Sequence, residues 1–497
     1  KANVGFAKYI ASLPEGKERG VAIGYDNRHM SYKFAIESAK VLATYGIKSY
    51  IFESLRPTPE LSFAVRYLKC AGGIMITASH NPKEHNGYKV YDDTGCQLLP
   101  EAADQVVQYV NEVEDELNIK VFSDEEAYPY MTWIGEEVDE AYYKEVMAIE
   151  VNPGMDKSDF KIVFSPQHGT SNIAVRTCLT RLGYDLVPVL AQCAPDPDFS
   201  NTKSPNPEVP ASYELAIKKA KEVDADVVVI TDPDGDRLGV VAKHNGEYVL
   251  MSGNQSAAVY LEYILSQMKE KGTLPDNAVM YNTIVTSDLG ELVARSYGVD
   301  VEKTLTGFKF IGDKIRKYEQ THEKTFVFGY EESYGCVIKD FVRDKDAVQA
   351  VLTAAEAGNF YKKQGKDLVD VLNELYAKHG TFKETQIALS KAGAAGAARI
   401  KEIMDNLRKD APQEIGGVKV VKVEDYGNST CSDGTTIQLP KSNVLKYYLE
   451  DGSWIAARPS GTEPKCKFYF SIKGSDADDA ASKTEVFHKA MMEIIGE

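Results

Sequence analysis

Short apolar runs alternate with amphipathic stretches through the first three quarters of the chain, always in the same order. An apolar run at residues 21–23 leads into an amphipathic helix ending near Tyr45, then Gly46 and a second run at 49–52. The order recurs at 161–164, with a helix reaching Gly183 and a run at 185–189. It recurs again at 278–281, with a helix reaching Gly298 and a run at 299–301. Glycine just past each periodic stretch predicts a helix C-terminus with positive φ. Strand–helix–strand units of this kind build parallel or mixed sheets flanked by helices. Any α/β protein contains such units, so the repeat alone does not fix a family.

The last quarter reads differently. A helix over 367–378 is followed by His379-Gly380-Thr381 and a small-residue helix over 392–407. Short strands at 418–423 and 454–457 and a final helix at 480–495 then predict a separate α+β domain.

Length and charge narrow the picture. A chain of 497 residues exceeds one hydrophobic core and predicts about three or four domains. No run approaches the roughly 18 apolar residues that span a bilayer, and no signal peptide opens the chain. The sequence starts at Lys1 with a helical pattern already under way at 6–10, so the natural N-terminus is expected upstream. A net charge of −17 argues against nucleic acid or an anionic membrane as partner. An anionic small molecule then needs local clusters of Arg and Lys. Seven scattered cysteines without a C-x-x-C pair fit a reducing cytoplasm.

Four clusters carry candidate chemistry. Thr77-Ala78-Ser79-His80-Asn81-Pro82 follows a buried-type strand at 73–76, the usual setting for a reacting group on a rigid scaffold. Ser79 needs an assisting base or electrophile to be a nucleophile, and His80 and Lys89 are near in sequence. An ordinary Ser/Asn turn reads equally well there. Asp232-Pro233-Asp234-Gly235-Asp236-Arg237 follows a strand at 225–230. Three carboxylates at alternate positions of a tight turn can converge on one hard cation, with a solvated acidic turn as the alternative, and oxygen-only ligands favour Mg²⁺ or Ca²⁺ over zinc. The EF-hand alternative fails, because Arg237 stands where that loop needs Gly and Lys243 where it needs Glu.

Arg458-Pro459-Ser460-Gly461-Thr462-Glu463 follows the strand at 454–457 and offers the donors of an anion nest. A plain turn with an exposed arginine is the alternative. Gly329-Tyr330-Glu331-Glu332-Ser333-Tyr334-Gly335 follows a strand at 325–328, and Glu331 and Ser333, two apart, can project the same way onto vicinal hydroxyls. Thr306-Gly307-Phe308-Lys309 reads as one more polar turn, and Arg343-Asp344-Lys345-Asp346 adds cations nearby. Each is unspecific alone. No Walker A loop or dinucleotide fingerprint occurs, which removes the nucleotide site a kinase needs.

Taken in order, the serine loop, the D-x-D-G-D-R loop, the E-x-S loop and the R-P-S-G-T loop resemble those of the α-D-phosphohexomutases, which include phosphoglucomutases and phosphomannomutases. The resemblance covers nearly the whole chain. Through Thr306-Gly307-Phe308-Lys309-Phe310-Ile311-Gly312 it looks closest to bacterial phosphoglucomutases of a phosphopentomutase-like branch. It implies four domains around a central cleft: three related α/β domains at 1–152, 153–254 and 255–376, and an α+β domain at 377–497. It further implies Ser79 as the phosphoserine, and Asp232, Asp234 and Asp236, with Ser79, as Mg²⁺ ligands. Arg237, Lys89, His80 and Lys345 belong to the reacting centre on this resemblance. Glu331, Ser333, Thr306 and Gly307 face the sugar, and Arg458, Ser460, Gly461 and Thr462 grip the distal phosphate. The implied reaction interconverts glucose 1-phosphate and glucose 6-phosphate through glucose 1,6-bisphosphate. Phosphomannomutase, phosphopentomutase and a non-catalytic phosphosugar-binding protein are the alternatives.

Two departures stand out. The family's N-terminal G-T-x-G-x-R-G segment, which contributes an active-site arginine, is absent from these residues. Some members carry histidine two residues after the serine of the sugar loop, where this chain has Gly335. That weakens a phosphomannomutase assignment and leaves the proton-transfer partner open.

Overall fold

The computed structural model describes every residue except Thr462 and Glu463. The chain divides into two compact units. One comprises Lys1–Asn282, Tyr297–Glu302 and Gly307–Val371; the other comprises Thr283–Ser296, Lys303–Thr306 and Leu372–Glu497.

The threefold rhythm becomes three sheets with one topology. In the first, the strands Val21–Tyr25, Ser49–Phe52 and Gly72–Ile76 are parallel, and Tyr88–Tyr91 returns antiparallel at the edge beside Gly72–Ile76. In the second, Lys161–Ser165, Asp185–Pro188 and Val227–Thr231 are parallel, and Leu238–His244 returns antiparallel beside Val227–Thr231. In the third, Ala278–Thr283 lies between Asp300–Thr304 and Thr325–Glu331, and Gly335–Val337 returns antiparallel beside Thr325–Glu331. The sequence of each third strand explains its central place. Val227–Thr231 reads Val-Val-Val-Ile-Thr and is buried on both faces, as an inner parallel strand requires. Gly46, Gly183 and Gly298 adopt φ of +74°, +85° and +80° after their helices, as the caps predicted.

This repetition positions chemistry. Three of the four candidate clusters occupy the same topological place, the connection between a third strand and its antiparallel return. The serine loop fills it in the first sheet, the aspartate turn in the second and the Glu331–Gly335 turn in the third.

The second unit contains an antiparallel sheet in the order Thr381–Ser390, Lys465–Gly474, Trp454–Pro459, Leu445–Leu449, Val418–Asp425, Glu414–Ile415. Helices Gly393–Lys409 and Ala477–Ile495 supply Ile403, Met404, Leu407, Phe487 and Met491 to its core, against Tyr447 and Phe468. The sequence reading missed four of these strands: Thr381–Ser390, Glu414–Ile415, Leu445–Leu449 and Lys465–Gly474.

Three local expectations are corrected. Phe308 and Lys309 open the helix Phe308–Thr321, so the predicted polar turn ends at Gly307, whose φ of +112° demands glycine. Glu331 closes the strand Thr325–Glu331 and pairs with Gly335, so the turn proper is only residues 332–334. The Arg343–Asp346 segment is buried: Arg343 is paired with Glu319 at 2.7 Å and is no free cation.

Candidate active site

Ser79 takes a left-handed backbone conformation, φ +51°, a strained choice for serine that its loop must hold in place. The loop is held from below. Arg28, fully buried and paired with Asp26 at 3.2 Å, donates to the carbonyls of Ser79, Asn81, Pro82 and His85. Ser79 N–H donates to Thr77 Oγ1 at 2.8 Å. Ser79 Oγ then lies 2.9 Å from Asp232 Oδ2 and 3.2 Å from His80 Nδ1. Burial, aided by the charges of Arg237 and Lys89, pushes His80 down to about 3, so its imidazole is neutral at physiological pH.

The aspartate turn is tied by backbone from three directions. Thr58 N–H donates to Asp234 O at 2.8 Å, Thr170 N–H to Pro233 O at 2.8 Å and Ala347 N–H to Gly235 O at 3.1 Å. Asp232, Asp234 and Asp236 are all buried, and one oxygen of each lies within 4.8 Å of the others. Asp232 Oδ1 accepts the N–H groups of Asp236 and Arg237 at 3.0 Å. Lys89 Nζ reaches Asp234 Oδ2 at 2.8 Å and Asp236 Oδ2 at 3.5 Å, and Lys345 Nζ reaches Asp236 Oδ2 at 3.1 Å.

Electrostatics follow from this crowding. Burial and the two neighbouring carboxylates push Asp232 well above the ordinary carboxylate range. Burial would raise Asp234 too, but the charge and hydrogen bond of Lys89, joined by hydrogen bonds with Asp232 and Thr58, together outweigh it and hold that carboxyl low. Burial opposes the charges of Lys89 and Lys345, yet the aspartates win and raise both. Asp234 Oδ1 and Asp236 Oδ1 are buried without any hydrogen-bond partner. Unpartnered carboxylate oxygens converging in a buried turn fit a hard divalent cation, which would satisfy them at once.

Arg237 donates to Glu208 Oε1 at 2.7 Å. Glu331 Oε1 accepts the N–H of Gly307 at 2.8 Å, and its charge reaches Arg237 and Lys345. Ser333 lies in the turn after it. Within this unit the fold brings Ser79, His80, Lys89, the three aspartates, Arg237, Lys345, Glu331 and Gly307 into one connected set. Thr306, Arg458, Ser460 and Gly461 belong to the other unit. There Ser460 N–H donates to Lys465 O at 2.7 Å, and Arg458 Nη1 lies 3.5 Å from the Tyr469 hydroxyl. Thr462 lies outside the described residues.

Sequence reasoning missed Arg28, Thr58 and Glu208. Arg28 carried a usable signal, since Asp26-Asn27-Arg28 follows an apolar strand as the aspartate turn does. Glu208 sits in an irregular stretch with no periodicity to place it.

Four family models match in chain order. They are phosphoglucomutase/phosphomannomutase alpha/beta/alpha domains I, II and III at residues 1–117, 140–246 and 252–379, and the C-terminal domain at 397–489. A phosphoglucomutase of Staphylococcus epidermidis is 39% identical over 491 residues, covering 97% of this chain and 88% of that protein. A phosphoglucomutase of Staphylococcus haemolyticus is 37% identical over 477 residues, covering 94% of this chain and 85% of that one. The open form of parafusin from Paramecium matches in fold with a TM-score of 0.73 at 20% identity, covering 100% of this chain and 92% of that one. Fold and relatives define an enzyme that moves a phosphoryl group within its substrate, with three α/β domains and a distinct C-terminal domain. The chain belongs to the phosphoglucomutase/phosphomannomutase family, within the α-D-phosphohexomutases.

Proposed function

We propose that this enzyme interconverts glucose 1-phosphate and glucose 6-phosphate through a phosphorylated Ser79 and a glucose 1,6-bisphosphate intermediate. The observation that carries this reading is the 2.9 Å approach of Ser79 Oγ to Asp232, at the edge of a buried three-carboxylate cradle with unpartnered oxygens. The phosphoglucomutase relatives, 37% and 39% identical along nearly the whole chain, supply the sugar.

Phosphoryl transfer needs alignment and charge stabilisation more than covalent assistance. In the first half-reaction the P–Oγ bond of phosphoserine breaks as a bond forms to the free sugar hydroxyl, whose proton ends on the serine oxygen. The second half-reaction runs the same exchange backwards at the other end of the bisphosphate. That proton moves within the reacting centre, where His80 lies beside Ser79 and Lys89 beside Asp234. Arg237 and Lys345 add positive charge beside the transferring group. Asp232, Asp234, Asp236 and the Ser79 oxygen would hold Mg²⁺, which when bound would supply positive charge for the phosphoryl oxygens. Glu331 and Ser333 receive sugar hydroxyls, with Thr306 and Gly307 forming the sugar turn. Arg458, Ser460, Gly461 and Thr462 receive the phosphate that is not reacting.

The test is Ser79→Ala, assayed with glucose 1-phosphate and glucose 1,6-bisphosphate. Mutase turnover is expected to vanish, and the wild type is expected to become labelled at Ser79 by labelled bisphosphate. Substantial glucose 6-phosphate formation by the variant contradicts the assignment. Inorganic phosphate as the main wild-type product points to a phosphatase. Comparing kcat/KM for glucose, mannose and ribose 1-phosphates decides the sugar.

A further inference from the structure

Lys446 is a buried lysine that the reaction above does not use. It lies on the strand Leu445–Leu449, with its Nζ 3.9 Å from the Trp454 ring centroid and 4.8 Å from that of Tyr448. The same Nζ donates a 2.8 Å hydrogen bond to the carbonyl of Ile284. Beside it, Trp454 Nε1 donates to Asp288 Oδ2 at 3.1 Å. Two adjacent strands of the C-terminal sheet therefore grip the segment Thr283–Ser296 by its backbone and a side chain.

That segment holds the approach to the sugar turn. Ile284 N–H donates to Thr304 O at 2.9 Å, two residues before Thr306. The two peptide units flanking Ile284 thus link Lys446, through the Ile284 carbonyl, to Thr304, through the Ile284 N–H. The strand that supplies Trp454 runs on to Arg458. Burying an ammonium group carries a heavy desolvation cost, and an apolar side chain would pack between two aromatic rings without it. A cation kept there for packing alone is a poor solution. Burial pushes Lys446 down to about 7, yet charged or neutral its amine carries N–H groups that donate to the Ile284 carbonyl, a bond no apolar side chain can make.

We propose that Lys446 is a positioning residue for phosphosugar binding: it fixes the Thr304–Thr306 stretch, which opens the sugar turn, in register with the strand bearing Arg458. The inference rests on the reading of Thr306 and Arg458 as phosphosugar contacts. Lys446 touches no substrate; it acts through Ile284 and Thr304.

Lys446→Met keeps a long unbranched stem between the rings and removes the donor. The KM for glucose 1-phosphate is expected to rise about tenfold, equivalent to about 1.4 kcal/mol, with kcat within about twofold of wild type. Amide exchange is expected to quicken at residues 283–287 and 303–306 and to stay unchanged at Val227–Thr231. Should that variant not fold, Trp454→Phe keeps the ring but drops the bond to Asp288, and a KM rise of about threefold is expected. A folded variant with unchanged KM, or with a loss confined to kcat, overturns the proposal. Unchanged exchange at 283–287 overturns the latch whatever the kinetics show. A wild-type enzyme inactive on glucose 1-phosphate instead strikes the functional reading, and the exchange pattern still decides whether the latch exists.

Discussion

Gly335 is a glycine for reasons of space. Its φ is not in the left-handed region, yet a Cβ built on it would lie 2.1 Å from Lys345 Cδ and 2.9 Å from Cγ. The aliphatic stem of Lys345 occupies the volume a side chain at 335 would fill. That path delivers Nζ to Asp236 at 3.1 Å and Asp344 at 3.4 Å. The absence of a larger residue after the 332–334 turn is thus the condition for a lysine to reach the aspartate turn from a different segment. Gly335→Ala is expected to push Lys345 off Asp236 and lower kcat/KM for glucose 1-phosphate about tenfold, with the circular dichroism spectrum unchanged. Because the damage passes through Lys345, Gly335→Ala combined with Lys345→Ala is expected to be no worse than Lys345→Ala alone. Full additivity of the two losses in steady-state kinetics sinks this steric account.

Elements show where sequence reasoning reached and where it stopped. Val227–Thr231 and Ser49–Phe52 were legible because inner parallel strands are apolar along their length, and nothing else in a short run looks like that. Ser79 and the three aspartates were legible because each cluster is local, a few residues wide and directly after such a strand. Thr381–Ser390 was not. Among the described residues it pairs only with Lys465–Gly474, and Lys383, Glu384 and Gln386 break up its apolar signal, as polar residues on an edge strand do. Arg28 and Glu208 were missed for another reason. Apart from the neighbouring Asp26 of Arg28, their partners named above lie 29 to 57 residues away, and such contacts exist only once the sheets are assembled.

Glu384 on that edge strand gives the element a measurable pH dependence. Burial pushes its carboxyl up to about 7, against a hydrogen bond from Ser287 that pulls the other way. The folded chain therefore binds this proton more tightly than the unfolded chain. Its contribution to stability is intact below about pH 4.5 and is lost as pH rises through about 7. Glu384→Gln, which removes the buried charge and keeps an acceptor for Ser287, is expected to have a higher Tm than wild type near about pH 8 and to match it near about pH 5. A Tm offset equal at both pH values in calorimetry contradicts the burial argument.

At the scale of the molecule, a chain of net charge −17 hides three of its carboxylates together in one turn. Lys89 and Lys345 offset part of that repulsion, and Asp234 Oδ1 and Asp236 Oδ1 are left without donors. The turn is bonded to Thr58, Thr170 and Ala347, which belong to segments more than a hundred residues apart. Relief of repulsion at the turn is consequently relief for the whole first unit, since no single sheet owns it. A divalent cation that binds only the folded chain adds about 2.7 kcal/mol of stability at about 100 times its Kd. Mg²⁺ is therefore expected to raise the Tm of the metal-free protein, and EDTA to reverse the rise and abolish turnover. Mn²⁺, another hard cation suited to oxygen ligands, is expected to restore activity. The doubly substituted Asp234→Asn, Asp236→Asn protein loses the charges that hold the ion, so its Tm is expected to be indifferent to Mg²⁺. An equal Mg²⁺-induced rise in both proteins places the ion elsewhere, because stabilisation by linkage follows the site that binds.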